Sequence, residues 1–517
     1  MTDTAAARPG RNVPRAADSA KPVYTENYKR LVLALLVTAY TFNFIDRTII
    51  STLGQPIKDT LKITDTQLGA LGGLYFALLY TFLGIPIARL AERFSRVNII
   101  SVAIVIWSGF TALCGTAASF GWLAAFRFGV GVGEAGLSPP AHSLISDYFE
   151  PKKRASALSV YSFGIPLGTM IGAVAGGLIA QTFGWRWAFA VVGIPGIIIA
   201  IALKLLVKEP PRGHSELPVA TPVDPIELAS ERADAQPRRK GLAGEFSEMW
   251  AVCKILFGKW PVLNVVLGVT LVSFGGYGGG QFAPPYFLRS FHLNYAEVGL
   301  ITGLVAGFSQ SIGTLIGGPI TDRMSRLSYR WYALVPAIGV TLAYPFIVGI
   351  YTAGTWQAAA TFMLFPGILS YVYLGPTFGM IQNMAPTHQR ATAAAIMLFF
   401  LNLIALGGGP LVTGIIIDHF SAFHFAHGAG GSLWDAIAGY GGAHPADFQA
   451  ACPGGKAVAG ATDAAKAACA GSLVLGTRHG IIVAYAFGLW GAFHYLVGSF
   501  GIGKALAQAR ADRGEGD

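Results

Sequence analysis

The chain has 517 residues, 53% of them hydrophobic and only 12% charged, with a formal net charge of +10. A soluble domain holds about twice that charged fraction, so a water-soluble fold is excluded. The apolar residues stand in long blocks, neither in heptads nor in alternating runs, which leaves a polytopic helical membrane protein.

Residues 1–30 are polar, rich in Ala, Arg and Pro, and read as a disordered tail without a signal-peptide core. Twelve apolar blocks follow, at about 31–53, 66–90, 97–118, 120–146, 155–181, 187–207, 262–286, 296–320, 331–351, 356–382, 392–419 and 479–503. Each is long enough to cross the roughly 30 Å hydrocarbon layer as a helix. A polar linker at 208–261 separates a first half, 31–207, from a second, 262–503, and a tail at 504–517 closes the chain. In the linker, Phe246, Met249, Trp250, Cys253 and Leu256 fall on one face, as in an interfacial helix.

Charges inside the blocks are few and concentrated. The first block holds Asn43, Asp46 and Arg47; the fourth reads RFGVGVGEAGLSPP from Arg127 to Pro140. Arg127 and Glu134 are seven residues apart, about two turns, so they project from nearly the same face. Gly129, Gly131, Gly133 and Gly136 leave that helix almost bare for a neighbour, expected to be the first span. An ionisable group in a span is a functional candidate by default; the competing reading is an Arg–Glu pair that only locks two helices. The seventh block contains Gly275, Gly276, Gly278, Gly279 and Gly280, which predicts an unwound or bent segment. Tyr371, Tyr373 and Thr377 in the tenth block, with Phe399 and Asn402 in the eleventh, are candidates for the wall of an amphipathic cavity. Glu297, Asp322 and Asp418 fall near span ends, so the second half offers no buried charge set of its own.

Between blocks, Lys and Arg gather in alternate loops. Arg89, Arg93 and Arg96, then Lys152, Lys153 and Arg154, then Arg238, Arg239 and Lys240, then Arg323, Arg326 and Arg330 alternate with short loops nearly free of them. This bias places both termini in the cytoplasm and assigns the excess charge to topology, not to nucleic acid. Cys114 is expected buried and inert, like Cys253 on the cytosolic side. Cys452 and Cys469 lie in the one long external loop, 420–478, where a disulfide without a role in coupling is expected.

The chain also repeats itself. Ala88-Arg-Leu-Ala-Glu92-Arg93-Phe-Ser-Arg96 matches Gly318-Pro-Ile-Thr-Asp322-Arg323-Met-Ser-Arg326 at an offset of 230, and Phe149-Glu-Pro151-Lys-Lys-Arg154 matches Met384-Ala-Pro386-Thr-His-Gln-Arg390 at an offset near 235. Two six-helix halves related by an axis along the membrane normal follow, with a site at the midplane between them.

The acid-Arg-x-x-Arg loops resemble the signature of the major facilitator superfamily, with Glu92 where Asp is usual. Within it, Asn43-Phe-Ile-Asp46-Arg47, Gly131-Val-Gly133-Glu134-Ala135 and Glu209-Pro-Pro-Arg-Gly resemble the Spinster family. The resemblance spans most of residues 30–420. It implies an all-α major facilitator fold of twelve helices and proton-linked movement of lysophospholipids or sphingosine-1-phosphate. A drug or organic-acid carrier, or a receptor of the same fold, are the alternatives.

On this reading Glu134, Asp46 and Arg127 couple the proton. Desolvation favours the protonated carboxyl and a neighbouring guanidinium the ionised one, so gaining or losing that partner switches the proton. Arg47 and Arg127, always charged, trade a carboxylate for a phosphate head group. Glu92, Arg93, Arg96, Asp322, Arg323 and Arg326 form a conformational latch on the cytosolic side. The expected partners are a small amphipathic substrate, a proton and membrane lipid, around a monomer in a bacterial inner membrane. No nucleic acid, metal or cofactor is expected: Gly131-x-Gly133-x-x-Gly136 lacks a strand–turn–helix context, His424 and His427 read as loop residues, and no nucleophile–His–acid set marks an enzyme.

Overall fold

Eleven helices among the described residues are long and apolar enough to cross a bilayer. The computed structural model describes residues 24–212, 214–215, 250, 252–254, 256–384, 390–428, 431–439 and 442–511. The eleven are α1 Glu26–Thr52, α2 Asp65–Arg93, α3 Arg96–Cys114, α5 Ser156–Phe183, α6 Trp185–Leu206, α7 Trp260–Phe291, α8 Tyr295–Ser325, α9 Trp331–Thr352, α10 Trp356–Ile381, α11 Ala393–His427 and α12 Asp463–Ala509. The twelfth crossing, α4, is broken into Phe120–Glu134 and Ser138–Tyr148. Pro139 and Pro140 open its second piece, where a missing N–H leaves no helical bond unmade. Side-chain caps set many helix starts: Thr25, Ser95, Ser119 and Thr355 each accept a hydrogen bond from the first turn.

Packing follows a two-fold pattern. In the first half α1 lies on α5 and α6, α3 on α4 and α6, and α2 on α4; in the second, α7 lies on α11 and α12, α9 on α10 and α12, and α8 on α10. Adding six to each helix number turns one set into the other. The halves meet where α2 touches α11 and where α5 touches α8, a pair of contacts that exchange under the same operation. Finer detail repeats too. Lys62 (φ 56°) and His292 (φ 53°), the non-glycine residues in the left-handed region among those described, lie 230 positions apart. So do the capping boxes Thr64/Gln67 and Asn294/Glu297. The sequence offset is therefore a structural one.

We call the face bearing the short helices Leu433–Ala438 and Pro445–Ala451 the loop side and the face bearing the start of α1 and the end of α12 the termini side. Interhalf packing is concentrated on the loop side. Gly73, where α2 kinks, lies so close to Leu406 and Gly407 of α11 that a Cβ would strike both carbonyl oxygens. The interhalf hydrogen bonds and ion pairs described by the structure also lie there, from Ser51 on Gly280 and Gln281 to Lys456 on Asp59.

Three expectations are corrected. The segment Gly275–Gly280 is helical within an unbroken 32-residue α7. Its glycines serve close packing: a Cβ on Gly275 would lie 2.6 Å from the Ala484 carbonyl oxygen of α12. The external loop is shorter than 420–478, because α11 runs to His427 and α12 starts at Asp463; buried Phe420 and Phe423 and the alanine-rich start of α12 extend both helices. The C-terminal tail begins as helix, since the helix of α12 continues to Ala511. Residues 1–23, most of the linker including Phe246, Met249, Arg238, Arg239 and Lys240, residues 385–389 of the second repeat, and 512–517 lie outside the described residues. Of the linker helix, Val252 and Leu256 are buried in the second-half core while Trp250 is exposed.

Candidate functional site

The four charges of α1 and α4 come together in a crossed arrangement. Arg47 Nε donates to Glu134 Oε2 at 2.7 Å, whereas Arg127 Nη1 lies 3.7 Å from Asp46 Oδ1, an ion-pair contact too long for a hydrogen bond. The Thr111 hydroxyl of α3 donates to the other Asp46 oxygen, and Arg127 Nε donates to the Leu71 carbonyl at 3.3 Å. The competing reading, a direct Arg127–Glu134 pair, is thus not the geometry found. Seven residues of helix rise about 10 Å, beyond the i, i+3 and i, i+4 separations at which helical neighbours meet, so each charge takes its partner from α1. The glycine face of α4 is corrected as well. A Cβ on Gly131 would strike the Phe76 carbonyl of α2, and one on Gly133 the Trp107 amide of α3; α1 reaches α4 through long side chains instead.

Exposure separates the four. The side chains of Asp46, Arg127 and Glu134 are at most 2% exposed, while that of Arg47 keeps 17%. Arg47 is held in an aromatic cage, its guanidinium 5.0 Å from the Phe44 ring centroid, 4.9 Å from Phe76 and 4.6 Å from Tyr80. Asn43 is buried in the same region, within reach of the Glu134 carboxylate.

The candidate wall in the second half divides. Tyr373 hydroxyl bonds Ser273 Oγ at 2.9 Å and Thr377 Oγ1 bonds Tyr495 hydroxyl at 2.7 Å, which ties α10 to α7 and α12. Both are buried packing residues in this conformation. Tyr371 and Asn402 are half-buried, and Phe399 meets Phe82 of α2 edge-on at 5.6 Å. Asn402 stands in a π-helical stretch of α11, Leu401–Gly408, a local geometry frequent at functional sites. Sequence reasoning missed Tyr277, 40% exposed on α7 and within electrostatic reach of Arg47 and Tyr80. An aromatic residue in a run of glycines was its signal.

The latch residues lie on the termini side. Glu92, Arg93, Asp322, Arg323 and Arg326 are exposed and form no ion pair among the described residues. Arg96 is buried within the first half, where it pairs with Asp147, donates to Glu209 Oε1 at 2.7 Å and to Ser143 Oγ at 2.8 Å. Glu209 also takes the Val97 amide at 3.0 Å and the Ser95 hydroxyl at 2.8 Å, capping α3. Burial pushes its carboxyl up, but the Val97 N–H, Arg96 and Ser95 outweigh burial and hold it below the usual carboxylate range.

The Major Facilitator Superfamily pattern matches residues 36–432. The chain belongs to that superfamily. This superfamily member is 30% identical over 392 residues to an MFS-type efflux pump of Mycolicibacterium smegmatis, covering 75% of this chain and 84% of the pump. It is 27% identical over 439 residues to the sphingosine-1-phosphate transporter SPNS2 of Xenopus tropicalis, covering 79% and 80%. The crystal structure of a bacterial homolog of the human lysosomal transporter Spinster, inward-facing and unoccupied, superposes with a TM-score of 0.75 at 30% identity, covering 94% of this chain and 99% of that one. The transporter is therefore of the Spinster type within the superfamily.

A second buried charge set in this transporter was missed. Asp65 Oδ2 accepts from Lys58 Nζ at 2.7 Å and Asp65 Oδ1 from Arg289 Nη2 at 2.7 Å; Arg289 also donates to Gln55 Oε1 at 2.7 Å and Thr477 Oγ1 at 2.6 Å. Asp418 takes the Asp65 and Thr66 amides and the Thr66 hydroxyl. Two acids and two bases from both halves are buried at the loop side, so the reading that the second half contributes no buried charge is corrected. Position near span ends hid them, and the packing of the two halves at the loop side covers them. His424 is also corrected from a loop residue to a buried residue of α11, 3.0 Å from His479 of α12. Among the described residues no group of three or more His, Cys, Asp or Glu is placed to hold a metal ion.

Proposed function

We propose that this chain is a proton-coupled secondary transporter of an amphipathic organic anion, of the lysophospholipid or sphingoid-phosphate type, working by rocker-switch alternating access. The observation that carries this reading is the Arg47–Glu134 bond, with Arg47 alone of the four charges left accessible. An anionic head group and Glu134 compete for one guanidinium. Head-group binding to Arg47 therefore favours protonation of Glu134, and protonation of Glu134 releases Arg47, by reciprocal linkage. Phe44, Phe76 and Tyr80 keep the guanidinium in place during the exchange, while Tyr277, Tyr371, Phe399 and Asn402 face the tail. The relation to a sphingosine-1-phosphate transporter supports a lipid-like cargo.

The charge bias of the loops puts the termini in the cytoplasm of a bacterial inner membrane, so closure on the loop side is the inward-facing state. Glu92, Arg93, Asp322, Arg323 and Arg326, without ion pairs among the described residues, are then a released latch. The protein acts as a monomer. A drug carrier is the second reading, favoured by the efflux-pump relative.

The test is flux of a fluorescent lysophosphatidate in proteoliposomes carrying an internal pH dye. Lipid movement should follow an imposed pH gradient and vanish in Glu134→Gln. Lipid movement indifferent to the gradient would remove the coupling, and transport of cationic drugs without the lipid would favour the second reading.

A further inference from the structure

The described residues between α11 and α12 form a short segment packed on the ends of both helices. Helices Leu433–Ala438 and Pro445–Ala451 and the turn Pro453–Gly455 occupy it. Phe448, Cys452, Cys469 and Leu473 form a small buried core with Ala422 of α11. The Cys452–Cys469 disulfide fixes the turn to the start of α12. Beyond that bond, the turn leaves its own half. Gly454 (φ +66°) rests on the Lys58 carbonyl and Lys62 backbone of the first half, and Lys456 Nζ donates to Asp59 Oδ2 at 2.8 Å. Asp59 also accepts from Gln55 Nε2 at 2.8 Å, and Gln55 Oε1 accepts from Arg289, which holds Asp65. A continuous hydrogen-bonded chain thus runs from the exposed cap to the buried charge set, beside a cavity of about 360 Å³.

We propose that this cap is a clasp, braced to the second half by the disulfide and gripping the first half at Lys58–Lys62, and that loop-side opening requires it to let go. An exposed ion pair is too weak to order a loop by itself. The disulfide orders the turn beforehand, so that Lys456 and Gly454 meet the first half already positioned. Sequence alone gave this disulfide no part in the cycle; its place at the interhalf contact does. The inference rests on the alternating-access reading but needs neither the cargo nor the proton.

The experiment measures distances between spin labels on cysteines introduced at the exposed Ala118 and Gln357, with Cys114 and Cys253 replaced by serine. Lys456→Ala should raise the loop-side-open population up to about fivefold, the range of an exposed ion pair. Cys452→Ser with Cys469→Ser should raise it more, and adding Lys456→Ala to that pair should change little, because both act through one contact. Asp59→Lys with Lys456→Asp should restore closure. Lys456→Ala changes one exposed side chain and keeps the test valid should the cysteine variant misfold. A parent that opens while Lys456→Ala opens identically overturns the clasp alone. A parent that never opens overturns alternating access and the clasp together.

Discussion

Arg47 and Arg127 carry the same charge in the same cluster, yet their surroundings assign them different work. Arg47 keeps part of its side chain exposed and can change partners. Arg127 is sealed, and removing it leaves Asp46 buried without its cation. Arg47→Ala should therefore weaken binding of an anionic amphiphile by about 10- to 100-fold, the scale of a charge-assisted hydrogen bond, and it lowers stability as well, because it leaves Glu134 buried without its cation. Arg127→Ala should lower stability by about 3–5 kcal/mol. Isothermal binding in detergent separates the two, and equal binding losses would contradict the division. The proton belongs to the acids. Glu134→Gln fixes the neutral form, so it should remove most of the pH response of the conformational equilibrium between about pH 5 and 9. Asp46→Asn should shift the response and leave part of it, since the acids share one cluster. Spectroscopic distances across both faces read this directly; a double variant responding like the parent would place the proton elsewhere.

At the scale of an element, α7 shows why a run of glycines is not always a hinge. Intrinsic propensity disfavours helix there, but the glycines facing α11 and α12 let backbones approach, and packing outweighs propensity. The run contains its own control. Gly275→Ala meets the Ala484 carbonyl and should cost about 1–3 kcal/mol. Gly276→Ala meets nothing within 4 Å and should stabilise by roughly 0.5–1 kcal/mol. Thermal unfolding of both variants checks the sign; stabilisation by both would mean that α7 does not seat on α12 as described.

For the whole molecule, closure of the loop side depends on Asp65, which lies between Lys58 and Arg289. Asp65→Asn leaves two buried cations facing each other across the halves, so the closed state should lose about 3–5 kcal/mol and the loop side should open. Distances between labelled halves measure it, and an unchanged closed population would show that helix packing alone holds the seal.

The sequence by itself determined the membrane class, the helices and the two-fold repeat. Block length depends on bilayer thickness, and the repeats at Glu92 and Asp322 are local strings. It also marked Asp46, Arg47, Arg127 and Glu134, because charges in apolar spans stand out. The partners of those charges were a tertiary matter. Arg127 and Glu134 share a helix face, but partner choice depends on how α1 comes to lie beside α4. Lys58, Asp65, Arg289 and Asp418 looked ordinary near span ends, and Cys452 and Cys469 like a loop bond. Only the apposition of the halves sets Lys58 and Asp65 against Arg289 and Asp418 and brings the disulfide-braced turn onto the first half, and no spacing along the chain encodes that contact.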